Sequence, residues 1–145
     1  MQDGIMTEIY LTIPNKNLNN IQYIDIMEKV FRDYGFFENK KNKRIVCFNI
    51  SRTYLLCERP NLYECTRKYW RLNGERAKKA EFVFAVCCGI IVGVYKPSIG
   101  YPTENTEYVG RWEFEGKEIK DSPYLQMNIS NLWGKRQNPV MYMNM

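Results

Sequence analysis

The order of patterned segments predicts an α+β fold, a small, strongly curved, mostly antiparallel sheet or open β-barrel carrying two main helices. Three observations lead there. Stretches of strand and helix composition follow one another as β, α, β, α and then as four or more strands. The later strands are separated by short glycine-containing turns, which usually pair neighbours antiparallel. A content of 45% hydrophobic and 14% aromatic residues gives 145 residues enough apolar surface for one core, with too little left over for a second. Residues 1–145 therefore read as a single domain, with an N-terminal strand and helix in 1–40 and a β-rich core in 44–145.

Each element has its own signal. Residues 8–13, EIYLTI, have strand composition, and the asparagine-rich PNKNLNN after them favours a turn. In NIQYIDIMEKVFRDYG, Ile21, Ile24, Met27, Val30, Phe31 and Tyr34 recur at threes and fours, and Gly35 supplies a stop, so this is a packing helix. ENKKNKR (38–44) is a basic loop, and RIVCFNI (44–50) turns to β-branched and aromatic residues without a breaker. After Pro60 the pattern predicts a second helix over about 61–70, with Leu62, Cys65, Thr66 and Tyr69 on its inner stripe and Arg67, Lys68 and Arg71 on other faces. Residues 80–97 hold two apolar runs punctuated by Gly89 and Gly93, read as a buried hairpin or two consecutive core strands at the centre of the sheet. Two prolines and a glycine predict a loop over 97–108. Residues 109–119 alternate, placing Trp112 and Phe114 on one side and Val109, Arg111, Glu113 and Glu115 on the other. The tail predicts a helical turn at 129–133 stopped by Gly134, then a last strand over 140–143.

Composition excludes several function classes. The chain has no histidine, which removes Ser-His-Asp and Cys-His nucleophile systems, histidine bases and histidine-ligated metals. Its five cysteines, 47, 57, 65, 87 and 88, are odd in number and form no C-x-x-C pair, so they read as reduced core thiols and predict no metal. The glycines at 89 and 93 match no phosphate-cradling pattern, and no cofactor is predicted. Glu113 and Glu115 read as solvated acids on one strand face. There is no apolar run of about 18 residues and no basic-then-apolar leader, so we expect a soluble protein of the cytoplasm without a membrane partner.

What remains is binding. From residue 40 to 79 there are twelve lysines or arginines against three acids, whereas the rest of the chain has nine against thirteen. Such asymmetry marks an electropositive face that attracts phosphates. Within it, LYECTRKYWR (62–71) interleaves cations with rings: guanidinium groups match phosphate oxygens and ring faces stack on bases. Candidate contacts to phosphate are Arg52, Arg67, Lys68 and Arg71, with Tyr69, Trp70 or Tyr95 stacking on a base. The bland alternative has Trp70 closing the helix against the sheet while the cations lie over it. Arg111 is either paired with a neighbouring glutamate or lines a cleft beside an inward Trp112. In GKRQNP (134–139), Lys135 and Arg136 suit phosphates and Asn138 a base edge, and a plain turn explains them equally well.

LYECTRKYWR, AEFVFAVCCGIIVGVYKP, RWEFEG and NPVMY together resemble small bacterial and phage proteins with the pattern LYE-x-TR-x-x-W, AV-x-x-GII-x-x-VY, RWEF-x-G and NP-x-x-Y, over about residues 45–143. GIIVGVYKPSIGYPT also resembles the glycine-bounded strand and following loop of the PUA-like superfamily, which includes EVE, ASCH and YTH domains. That resemblance implies a compact β-barrel with flanking helices that binds RNA or a modified nucleobase in a cleft beside the barrel. The leading expectation is thus non-catalytic binding of nucleic acid or a nucleotide through a basic, aromatic-lined cleft. The alternative is a phage-encoded inhibitor of a host defence system that sequesters a signalling nucleotide or docks on a host protein. An enzyme working without histidine is the third class.

Overall fold

A computed structural model describes residues 35–145; the strand and helix expected before Gly35 lie outside them. The elements are β1 (Ile45–Asn49), α1 (Ser51–Leu55), α2 (Leu62–Arg67), β2 (Lys68–Trp70), α3 (Gly74–Ala77), β3 (Phe82–Cys87), β4 (Ile90–Pro102), a 3₁₀ turn (Thr106–Tyr108), β5 (Trp112–Glu118), α4 (Ser130–Trp133) and β6 (Val140–Met143). They build one six-stranded sheet in the order β2-β5-β4-β3-β1-β6. Every neighbouring pair is antiparallel except β1 and β3, which run parallel and make the sheet mixed. The parallel pair requires a crossover, and α1, α2, β2 and α3 all lie within it.

The sheet is strongly curled into a half-barrel. Phe48 on β1 and Trp70 on β2 are separated by three intervening strands, a distance of about 19 Å in a flat sheet. Their rings instead stack 4.4 Å apart at 7°. The two edges are further tied by Asn73, whose backbone N–H donates to Tyr142 Oη on β6 at 3.1 Å. Curling lets the inner residues of β1, β3, β4 and β5 share one core with the helices: Val46, Phe48, Val83, Ala85, Val92 and Phe114 join Leu62, Cys65 and Trp70 there. The other side of β1, β3 and β4 buries Ile45, Cys47, Phe84, Ile91 and Val94 against Phe37, Ile129 and Trp133. α2 sits close on β4 because Gly93 carries no side chain; a Cβ there would lie 3.1 Å from Leu62 Cδ2.

Three expectations change. The second helix stops at Arg67, and Lys68–Trp70 pairs with Glu113 and Trp112 on β5. Tyr69 and Trp70 favour a strand, and β5 offers an open edge to pair with. Residues 97–102, expected as loop, continue β4; Pro97 sits at a register shift and Pro102 at the strand's last position, where a missing N–H is tolerated. The helices of the described residues are short, 4 to 6 residues each, and α1 and α3 had no counterpart in the sequence reading. The hairpin at 80–97, the turn stopped by Gly134 (φ 62) and the last strand stand as expected. Among the described residues, no helix is long and apolar enough to cross a membrane.

Candidate functional site

The concave side of the half-barrel opens into a cleft of about 370 Å³. Its walls come from Phe48 on β1, Trp70 on β2, Leu72, Gly74 on α3, and Trp112 with Phe114 on β5. Trp70 is both wall and core: it is buried, stacks on Phe48, and donates its Nε1–H to Thr66 O at 2.7 Å. Trp112 stays half-buried. Its indole lies across the start of α3, so close that a Cβ on Gly74 would be 2.2 Å from Cζ2. Asn73 begins that helix, accepting from Arg76 N–H at 3.1 Å, and thereby brings Lys78 round to the rim. Lys78 Nζ stands 5.3 Å from the Trp112 ring centroid and 3.3 Å from Glu75 Oε1. The site is thus a mainly apolar, ring-lined slot that also takes in residues 97–100 of β4 and has Lys78 and Glu113 as the charged residues of its lining.

A second, polar cluster lies on the other side of β5. Arg67 Nε donates to Glu64 Oε2 at 2.7 Å and its Nη1 to Glu113 Oε1 at 2.9 Å, while Lys68 Nζ pairs with Glu64 Oε1 at 2.9 Å. Glu113 also accepts from Tyr101 Oη at 3.0 Å and Thr103 Oγ1 at 2.7 Å. Burial pushes both carboxyls up, but hydrogen bonds from Lys68 and Arg67 to Glu64, and from Thr103, Tyr101 and Arg67 to Glu113, outweigh it and hold both below the ordinary carboxylate range. The hydrogen bond to Glu64 raises the Lys68 ammonium. Beside this cluster Tyr69 stacks on Tyr108 at 4.2 Å and 9°, with Arg59 5.1 Å from the Tyr69 centroid and Arg111 5.3 Å from that of Tyr108. Asn105 Nδ2 donates to Tyr69 Oη at 3.1 Å.

The residues singled out in the sequence therefore separate. Arg67, Lys68, Tyr69 and Arg111 gather around β2 and the loop before β5, held by carboxylates, rings and the Tyr69 carbonyl. Trp70 alone of that run faces the cleft. Tyr95 is 1% exposed and packs in the core against Tyr63. Arg71 is exposed directly after Trp70. Arg52 lies exposed on α1, 3.9 Å from Glu58. Asn138 precedes β6 on the opposite sheet edge and accepts from Val140 N–H at 2.9 Å, and Lys135 and Arg136 are exposed in the turn after α4. Arg111 reaches Tyr69 O at 3.4 Å and lies 5.3 Å from the Tyr108 ring centroid rather than meeting a neighbouring glutamate.

Among the cleft residues that sequence reasoning passed over are Phe48, Leu72, Gly74, Lys78 and residues 97–100 of β4. For Gly74 and Lys78 the local signal was Asn73 before G-E-R-A, a capping residue ahead of a helical turn. Among the described residues no three Cys, Asp or Glu side chains converge to hold a metal ion. Comparison of the chain with family models, with curated proteins and with solved structures yields no match.

Proposed function

We propose that this protein binds a nucleotide, free or within a nucleic acid strand, by taking its base into the concave cleft. The observation that carries this reading is the slot itself, about 370 Å³ between Trp112, Trp70 and Phe48 with the Lys78 ammonium over Trp112. That volume is at the small end of the ~300–1,000 Å³ typical of ligand pockets, so it suits one base and its sugar. Flat apolar walls favour a ring system of any base identity, because every base presents a π-face. Lys78, with exposed Arg71 following Trp70 in the chain, supplies positive charge toward a phosphate. Arg67 and Lys68 do not enter this reading as phosphate ligands, since their donors already meet Glu64 and Glu113. The curled sheet with flanking helices is in keeping with a PUA-like domain. Sequestration of a signalling nucleotide by a phage inhibitor would use the same slot, and its one-base size favours that route over docking on a host protein.

The test is equilibrium titration with 5′-mononucleotides and with short single-stranded RNA and DNA, followed by tryptophan fluorescence at low and high salt. Quenching is expected, with affinity falling as salt rises because counterions are released. Trp112→Ala removes a stacking face worth about 1–3 kcal/mol, a loss of roughly 5- to 150-fold in affinity. Absence of quenching by every nucleotide and strand at low salt would sink the proposal.

A further inference from the structure

The β3–β4 hairpin turns on Cys88 and Gly89, whose φ angles are 54° and 81°. Two positive φ values in a two-residue connection are the type I′ geometry, for which Asn, Asp and Gly are the favoured residues. Turn preference therefore does not account for cysteine at 88, and what it brings to that position is sulfur. The residue before it is also cysteine. Cys87 is fully buried at the end of β3, and its Sγ lies 3.9 Å from that of half-buried Cys88. The turn is pinned from the side: Cys88 N–H donates to Ser51 Oγ at 3.0 Å, and Ser51 O–H donates to Asn49 Oδ1 at 2.6 Å. The hydrogen-bonded Cys88 thiol, together with burial, pushes Cys87 well above the ordinary thiol range, and half-buried Cys88 is the more accessible of the two sulfurs.

We propose that Cys87 and Cys88 form a vicinal dithiol modification site that a hydroperoxide converts to a disulfide. In the first step the Cys88 thiolate attacks the peroxide; an S–O bond forms, the O–O bond breaks, and the alkoxide or hydroxide that leaves takes up a proton. This leaves Cys88 as sulfenic acid. In the second, the Cys87 sulfur attacks the Cys88 sulfur, the S–S bond forms, the S–O bond breaks, and the departing hydroxide carries off the Cys87 proton as water. Overall two thiols lose two electrons and two protons, and one peroxide is reduced to an alcohol, or water, plus water. The sulfurs must close from 3.9 Å to about 2.05 Å, which side-chain rotation on adjacent residues begins and a local adjustment of the turn completes. The other thiols compete poorly. Burial pushes Cys65 up to about 11 and raises Cys47 further, which leaves Cys57 as the remaining partly accessible one.

The experiment treats the whole purified protein with stoichiometric hydrogen peroxide, unfolds it in the presence of iodoacetamide, and reads intact mass and the peptide containing both residues. The expected result is loss of two hydrogens, with Cys87 and Cys88 both unalkylated and both recovered after dithiothreitol. Cys57→Ser should behave as wild type, and Cys88→Ser should lose the two-hydrogen product. The proposal is overturned if Cys88 proceeds to sulfinic acid while Cys87 is still alkylated. It is equally overturned if the disulfide found joins Cys57, Cys65 or a second chain.

Discussion

Along β5, Trp112 and Phe114 face the concave side, where their neighbours are rings and a glycine, whereas Glu113 between them faces Arg67, Tyr101 and Thr103. One residue of alternation separates a surface held by shape from a surface held by charge. On the polar side Arg67 and Lys68 are already paired, with Arg67 Nε and Nη1 and Lys68 Nζ each meeting a carboxylate at 2.7 to 2.9 Å. On the concave side the rings leave a space that the chain itself does not fill. Within the basic stretch 40–79 the cations thus divide, Arg67 and Lys68 being paired with carboxylates on the other side of β5 and Lys78 lying beside Trp112 in the cleft. The proposed binding rests on the second group.

The largest way to break this comparison is Trp70→Ala. The indole ties edge strand β2 to β1 across the curl through its stack on Phe48 and holds α2 through its hydrogen bond to Thr66 O. Removing a buried tryptophan costs about 3–5 kcal/mol, and a urea-denaturation midpoint measures it. A cost under about 1 kcal/mol would mean that the half-barrel holds its curl without this contact.

Arg67→Ala comes next. It leaves Glu64 and Glu113 without their shared partner, at a cost we set at about 2–3 kcal/mol because the cluster is only partly screened from water. Arg67→Lys should recover little, since one ammonium cannot span two carboxylates as Nε and Nη1 do. The pH dependence carries a definite sign. Both glutamates have folded pKa values below their unfolded ones, so their contribution is fully present above the ordinary carboxylate pKa of about 4.3 and is lost as pH falls through the lower folded values. The stability gap between wild type and Arg67→Ala should accordingly be wide at neutral pH and shrink in acid. A gap that stays constant would show that Arg67 acts by packing alone.

Gly74→Ala sharpens the comparison from the concave side. The new methyl must displace the Trp112 ring, because its Cβ would sit 2.2 Å from Cζ2. Overpacking of this kind costs about 1–3 kcal/mol, and the shifted indole should also lower nucleotide affinity in the fluorescence titration. Unchanged affinity together with lost stability would separate Trp112 from the binding surface.

How much of this was legible in the sequence differs between the same two regions. Alternation over W-E-F-E on β5 was readable, since period 2 does not depend on partners, and so were the central hairpin and the last strand. The fate of RKYWR was not. Whether Tyr69 and Trp70 continue a helix or join a sheet depends on the free edge of β5, some forty residues later, which no local pattern reports. The prolines at 97 and 102 misled for a related reason: they break a strand unless the ladder already has a bulge or an end at their positions, and that is fixed by β5 as well. Glu113 looked like one of two solvated acids because its three donors come from residues 67, 101 and 103. The cleft was half legible. Trp112 and Trp70 were recognisable as rings of interest, but Phe48 and Gly74 become walls only once the sheet has curled.

Lys78 gives the smallest effect on stability and the most selective one on binding. Its ammonium is half-exposed, 3.3 Å from Glu75, and makes no contact that the fold needs. Lys78→Gln should shift stability by no more than about 0.5 kcal/mol, as expected for an exposed pair. The same change removes a positive charge from the mouth of the slot while leaving the Trp112 face in place. Nucleotide affinity should therefore fall at low salt, and the slope of log affinity against log salt should become shallower by about one phosphate contact. Trp112→Ala should do the opposite, lowering affinity at every salt concentration with the slope unchanged. If Lys78→Gln leaves both affinity and slope as they were, the cation belongs with Glu75 alone, and the phosphate must be met by Arg71 or lie outside the slot.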